Sequence, residues 1–485
     1  MLTAKMTSTT ARLAPSAQDT PKTHARAIDE IVFGAILVGL ACAPFWFGGN
    51  RPLAWGLHAI WFPAATLLYE AGRLWGARRH PISLRRIWAP SAGIALAAIW
   101  AGLQMAPWTP VGYQHPVWQM AREALGKDLP GAISINVDET MLALVKLATA
   151  ACLFWTTMQL CRSPHRARLL VAAVAAIGAL YALYGIVAFF VFPETILWFP
   201  KTSYNDSVTS TFVNRNSYAT YAGVGLTAAI AMAVGQFVAS DRAGGRATKR
   251  RLAGVIAACA GAGGAWLAAT FVIGVALILT ASRGGICATL CGVVALMAIA
   301  SIRGRKNAVG AGFGVLIAMA LVGAAAFAFG DTFADRIATQ GFNGDDRFAI
   351  YRLSLLSIAD SPLFGSGWGT FRQVLPIYRD SSLEPFGVYD LAHNTYLEIF
   401  QGLGVPVALL FLSSIATLAT RCVWGALARR HSATAPMVAA AATFIVFLHA
   451  FVDFSLQMQA VTLTWVALLA AGVAQSWGSR TATDR

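Results

Sequence analysis

Charge is scarce in this chain. Only 12% of its 485 residues are Asp, Glu, Lys or Arg, about half the share that keeps a globular domain in water. Most of the surface must therefore face something other than water, which excludes an ordinary soluble domain. Acidic residues are the scarcer sign, 22 against 37 Lys and Arg. The seven cysteines (Cys42, Cys152, Cys161, Cys259, Cys287, Cys291 and Cys422) lack the clustered loop spacing of a zinc site or a disulfide framework, and read as small packing residues. A secretory signal is missing as well. The first thirty residues are polar, contain Lys5, Arg12, Lys22 and Arg26, and lead into a full-length apolar run, so they read as a disordered tail.

What the chain does have is long apolar runs. About 18 such residues cross the ~30 Å hydrocarbon core as a helix that satisfies its own backbone hydrogen bonds. Twelve runs stand out, near 31–48, 53–74, 87–106, 140–161, 169–192, 217–238, 256–280, 285–302, 307–330, 395–418, 434–456 and 460–478. The expectation is an all-α integral membrane protein with about twelve transmembrane helices over 31–478, between tails at 1–30 and 479–485.

The basic residues orient it. With the N-terminus inside and the runs alternating, inside segments hold 25 of the 37 Lys and Arg and outside segments hold 11, with Lys146 inside a run. This asymmetry predicts cytoplasmic termini, and basic clusters such as Arg78-Arg79 then act as topology anchors rather than as a nucleic-acid surface. Three outside segments are long: 107–139, 193–216 and, between the ninth and tenth runs, 331–392.

Candidate chemistry gathers at that outer face. Arg283 sits at the apex Ala281-Ser282-Arg283-Gly284-Gly285 between two apolar runs. It reads either as an arginine reaching lipid phosphate or as a planar fork aimed at one specific phosphate. Arg215, in Phe212-Val213-Asn214-Arg215-Asn216, emerges at the same level, where a helix N-terminus adds attraction for anions. Arg347 is a third candidate phosphate ligand, or else a surface partner of Asp345 or Asp346. His393, in His393-Asn394-Thr395-Tyr396-Leu397-Glu398, is either a helix-end residue or a base whose ordinary pKa lies near working pH. Asn394 and Glu398, four apart, are secondary candidates or a packing pair. His449 and Asp453 read as a hydrogen-bonded structural pair, and Lys146 as a weak candidate that snorkels outward. The segment 347–356 reads as an amphipathic helix over the outer face. The following Gly365-Ser366-Gly367-Trp368-Gly369 has neither a βαβ context nor a phosphate-binding lysine, so it is not a nucleotide loop. No metal-ligand spacing appears on this side.

Ser282-Arg283-Gly284-Gly285, the stretch from Arg347 to Phe371 and His393-Asn394-x-Tyr396-Leu397 together resemble the O-antigen ligase and polysaccharide polymerase family of bacterial inner membranes. Phe212-Val213-Asn214-Arg215-Asn216 looks like that family's Asn-x-Asn segment. The resemblance covers roughly 205–410, including a large periplasmic loop at 331–392. It implies a C-type glycosyltransferase fold and a metal-independent, inverting transfer with no cofactor. The implied donor is a glycan on undecaprenyl pyrophosphate, and the acceptor is a lipid A–core or a growing glycan. It carries Arg283 over to the pyrophosphate, Arg215 less directly to a second phosphate contact, and His393 to the base or acceptor-orienting group. Arg347 matches the family's arginine ahead of the loop helix without a fixed role. The rival class is a lipid-linked oligosaccharide flippase or other transporter, which would place polar groups near the bilayer midplane in related halves.

Overall fold

The computed structural model describes residues 20–244, 259–303, 345–384, 387–429 and 432–478. The tail expected to be disordered over 1–30 is helical from Thr20 onward, where the first helix begins; its part ahead of residue 20, the ninth run at 307–330 and the C-terminal tail lie outside the described residues. Six helices fill the first part: α1 (Thr20–Cys42), α2 (Pro52–Trp75), α3 (Trp88–Gln104), α4 (Val117–Leu125), α5 (Val137–Leu160) and α6 (Pro164–Val191). A two-residue hairpin, β1 (Thr195–Ile196) with β2 (Phe199–Pro200), leads to α7 (Arg215–Gly244), α8 (Ala262–Leu279) and α9 (Arg283–Ile302). Then come α10 (Asp345–Asp360), α11 (Phe371–Tyr378), α12 (Thr395–Leu403), α13 (Val405–Ala428), α14 (Thr434–His449) and α15 (Gln459–Ala474).

Local chemistry sets many of these boundaries. Proline opens α2, α6 and the first turn of α13, where its missing N–H costs nothing. Asn136 caps α5 by accepting from the amides of Asp138 and Glu139, and those two acids sit favourably on the helix's positive end. Ser282 caps α9 through the amide of Gly285.

Among the described residues, seven helices are long and apolar enough to cross a membrane: Leu84–Gln104, Val137–Leu160, Pro164–Val191, Arg215–Val238, Ala262–Leu279, Arg283–Ile302 and Val405–Ala428. Two further apolar helices, α14 and α15, have 16 residues each. The described helices overlap eleven of the twelve apolar runs. Large apolar side chains such as Leu180, Phe190 and Ile302 point outward, at 67%, 68% and 73% exposure. A water-facing surface does not tolerate them at this density, and hydrocarbon does.

The bundle is built around α7, whose Tyr218, Leu226 and Ile230 are fully buried. It packs on α6, α8, α9 and α14, and α14 in turn packs on α15. Where α6 crosses α7, Gly178 and Gly225 meet main chain to main chain, and a Cβ on Gly178 would stand 3.3 Å from the Gly225 Cα. Close approach of this kind holds helices together where no hydrophobic force between them is available.

Outside the spans, α10 packs on α11 and α12 through Ala349, Ile350, Leu353, Phe371 and Leu375. The amphipathic reading of 347–356 is thus a helix with one side buried. The glycine-rich loop behind it is a packing element. Its Ser366 and Gly367 amides donate to Gln401 and Gly402 carbonyls, and the Ser366 carbonyl accepts from Ile135.

The tenth run, expected as one span over 395–418, is broken. Gly404, at φ +76°, separates α12 from α13, and the Val405 amide that follows it donates to the Pro362 carbonyl at 2.7 Å. Gly365, at φ +68°, lies so close that a Cβ would fall 2.3 Å from the Gly402 oxygen. Gly365→Ala is therefore expected to destabilise the protein by roughly 1–3 kcal/mol, from the φ alone at the low end. A lowered unfolding temperature in detergent is the measurement, and an unchanged one would show the loop to be free to move.

Candidate functional site

Two helix N-termini stand side by side. Asn214 caps α7 by accepting from the amides of Asn216 and Ser217 at 2.7 and 3.2 Å. The Ser282 hydroxyl, which caps α9, donates to the Asn216 side-chain oxygen at 2.8 Å. That bond ties the start of α7 to the start of α9, and Arg215 and Arg283 are the first residue of each. Sequence places these arginines 68 positions apart; one serine–asparagine contact makes them neighbours.

Arg215 is further held from the loop before it. Its guanidinium donates to Ser207 Oγ at 3.1 Å and lies 5.2 Å from the Tyr204 ring centre. Lys201, buried, donates to the Ser207 carbonyl at 2.8 Å. Burial presses its pKa down to about 8. Arg347 enters from α10 and donates to the Val452 carbonyl at 3.4 Å. Gly284, next to Arg283, and the Arg347 guanidinium both approach Val452, and the charges of Arg283 and Arg347 both bear on Arg215, so the three arginines gather at one end of the bundle. Among the described side chains no carboxylate forms an ion pair with any of them. Like charges held together this way cost energy unless an anion joins them.

His393 lies on the same side. Its backbone is left-handed, φ +54°, a strained conformation for a side chain other than glycine. The ring packs edge-on against Phe454, 4.8 Å between centres, and its Nδ1 is buried without a partner. Burial lowers the imidazole pKa to about 4; the Arg347 charge pushes the same way and Asp453 opposes it. The ring is therefore neutral at ordinary pH and has a free lone pair or N–H to offer.

The hub that joins these parts is the turn 449–455, which follows α14. Gly284, next to Arg283, lies against His449, so that a Cβ there would come 3.0 Å from His449 Nε2. On its other side His449 Nδ1 is 2.5 Å from the Thr220 hydroxyl of α7, which is also 2.8 Å from Ser455 Oγ. Ser455 in turn donates to Asp453. Tyr351 of α10 donates to the carbonyls of His393 at 3.0 Å and Phe451 at 3.4 Å. Thr395, at the start of α12, bonds the Ala450 and Asp453 carbonyls.

The pair expected of His449 and Asp453 on one helix face is replaced by this relay through Ser455, because α14 ends at His449. Asp453 is fully buried, and its Oδ1 has no partner. Arg215 Nε, His393 Nδ1 and Asp453 Oδ1 are thus three unsatisfied buried atoms in one region, the signature of a place that receives a polar ligand.

Asn394 and Glu398 have visible structural duties. Asn394 caps α12 by accepting from Tyr396 and Leu397 at 3.0 and 3.1 Å. The Glu398 carboxylate accepts from the Ala392 amide at 2.7 Å and from Gln457, bracing the chain on both sides of His393. Lys146 is elsewhere, its ammonium 3.8 Å from the Trp55 ring centre between α5 and α2. Among the described residues no group of three His, Cys, Asp or Glu could hold a metal. Thr220, Ser455, Tyr351 and Lys201 were not singled out by the sequence.

A family model described as O-antigen ligase matches residues 268–412. The matched stretch carries Arg283, Arg347 and His393 and ends in α13, and it supports the O-antigen ligase/polymerase family for this chain. Arg215 lies ahead of it and the 449–455 turn beyond it. No curated protein matches the chain. The apolar helices mark a membrane protein, and the match makes its central stretch similar to the O-antigen ligase family.

Proposed function

We propose that this protein is a metal-independent, inverting glycosyltransferase that moves a glycan from undecaprenyl pyrophosphate to a hydroxyl acceptor at the periplasmic face of the inner membrane. The single observation that carries this reading is the grouping of Arg215, Arg283 and Arg347, none of them ion-paired with a carboxylate among the described side chains, beside the neutral His393. The acceptor oxygen attacks the anomeric carbon from the face opposite the leaving group, and the bond from that carbon to the phosphate oxygen breaks. The pyrophosphate departs with the bonding electrons, and its growing charge falls on Arg283, Arg215 and Arg347. Fixed guanidiniums stabilise such charge without a metal ion. His393 receives the hydroxyl proton.

A lipid pyrophosphate is already an activated leaving group, so the reaction needs no nucleotide. Donor and acceptor are both lipid-anchored and are held at one depth by the bilayer, which supplies proximity. The twelve-span topology, with cytoplasmic termini and a periplasmic loop after the ninth span, belongs to the same reading and rests on the basic-residue asymmetry. It puts the arginines at one membrane face, where a transporter would carry its polar groups near the midplane.

Between acceptors, the ligase reading with lipid A–core and the polymerase reading with a growing glycan share this chemistry. Deletion separates them. Loss of all long-chain lipopolysaccharide, with finished glycan left on undecaprenyl pyrophosphate, is the ligase outcome; accumulation of single repeat units is the polymerase outcome. Unchanged surface glycan in the deletion strain would reject both.

A further inference from the structure

A second cationic cluster lies at the opposite end of the bundle. α14 ends at the candidate site and α15 starts near it, so the last residues of α15 reach the far end. Four arginines from separate places in the sequence converge there on Gln475–Gly478. Arg162, in the turn between α5 and α6, donates to the Ala474, Trp477 and Gly478 carbonyls at 3.5, 3.4 and 3.1 Å. Arg421 of α13 donates to Ser476 at 2.9 Å, and Arg429 donates to Gln475 and Trp477 at 2.5 and 3.0 Å. Arg86, just ahead of α3, lies 5.7 Å from the Trp477 ring centre, with Arg421 at 5.0 Å from the same ring.

A helix C-terminus presents about half a negative charge, which accounts for part of one guanidinium. Here there are four. Among the described residues no carboxylate forms an ion pair with Arg86, Arg162, Arg421 or Arg429, although at the same end Arg73, Arg78 and Arg166 pair with Glu70, Asp29 and Glu30. The unpaired four act on each other: the charges of Arg429 and Arg86 bear on Arg162, and that of Arg86 on Arg421. The Arg421 Nε is buried without a partner. Such a cluster calls for an anion with more than one charge. The surroundings say what kind, because Leu84, Trp88, Leu169 and Trp424 flank it with apolar side chains 55%, 68%, 42% and 66% exposed. An anion that sits there places apolar chains against apolar helices.

We propose that this end of the bundle binds the headgroup of an anionic glycerophospholipid, most favourably one with two phosphates, as in cardiolipin. The four guanidiniums share the phosphate oxygens while Trp477 closes the site from below and the acyl chains run along α3 and α13. Basic pockets between transmembrane helices bind such headgroups by this arrangement of charge. The inference rests on the membrane reading alone and is independent of glycan transfer.

Native mass spectrometry of the delipidated full-length protein, titrated with cardiolipin, phosphatidylglycerol or phosphatidylethanolamine, tests it. The expected result is retention of cardiolipin well above phosphatidylethanolamine, with phosphatidylglycerol between. Arg86→Gln removes a charge that makes no hydrogen bond among the described residues, so it should leave folding intact and weaken cardiolipin retention about fivefold, and R86Q/R421Q about twenty-five-fold. Arg168→Gln, an exposed arginine at the same end outside the cluster, should change nothing. Equal retention of all three lipids, an unaffected R86Q protein, or the same loss in R168Q overturns the proposal. So does displacement of the lipid by equimolar inorganic pyrophosphate, which would mark a site for free anions.

Discussion

Arg283→Ala is expected to reduce glycan transfer by about 10²–10³-fold, the usual cost of removing one fixed donor from a developing anion. The arginine is the first residue of α9, and the helix is capped by Ser282, so truncation leaves the cap and the contact with Asn216 in place. What disappears is a guanidinium that pairs with no carboxylate among the described residues and stands beside two others. Arg283→Lys should recover part of the loss, because an ammonium supplies the charge and loses the planar fork that grips two oxygens at once. Transfer from a lipid-linked glycan in membrane vesicles, scored against the amount of inserted protein, is the measurement. An R283A protein that transfers normally would remove the anion site from the scheme.

His393→Ala should cost a further class of rate, about 10²–10⁴-fold, if the imidazole takes the acceptor's proton. The direction of its pKa makes the test sharper. A base must be neutral to accept a proton, and with its pKa pushed down to about 4 the ring is neutral throughout the ordinary range. Transfer is therefore expected to stay level from mildly acidic to neutral pH and to fall only as the pH drops toward 4. Because Arg347 is one cause of that low value, Arg347→Ala should raise the imidazole pKa and move the acid limb to higher pH. The movement will be limited, since burial is the larger cause and remains. An acid limb that stays where it was in the R347A protein, or that survives in H393Q, would assign the titration to another group.

Local signals were the legible part of this molecule. Hydropathy alone marked eleven stretches that are helical in the structure, because the apolar content of a span is a property of neighbouring residues. The amphipathic pattern from Arg347 to Leu356 likewise showed itself as a helix. The break at Gly404 did not stand out, since Gly404, Val405 and Pro406 interrupt hydropathy very little while the φ of the glycine redirects the chain. Spacing misled at two points. Asn394 and Glu398 are four apart, which suggests a shared face, but Asn394 is spent on the cap and Glu398 on Ala392 and Gln457. His449 and Asp453 have the same spacing, yet the helix stops between them. The arginines were found from their type and their level in the membrane; that they meet depends on Asn216 and Ser282, which stand in the same motifs but whose bond to each other no local pattern reveals.

Between residues 450 and 453 the turn after α14 is hydrogen-bonded from outside through its main-chain oxygens. Tyr351, Arg347 and Thr395 take the oxygens of Phe451, Val452, Ala450 and Asp453, and none of these bonds reads a side chain. A joint of this kind is indifferent to the spelling of residues 450–452 and sensitive to their number. One residue inserted or removed would shift His393 against Arg283, whereas exchanging Phe451 or Val452 for another apolar side chain would leave the spacing of the two intact. Length, more than letters, keeps the groups of the candidate site within reach of one another.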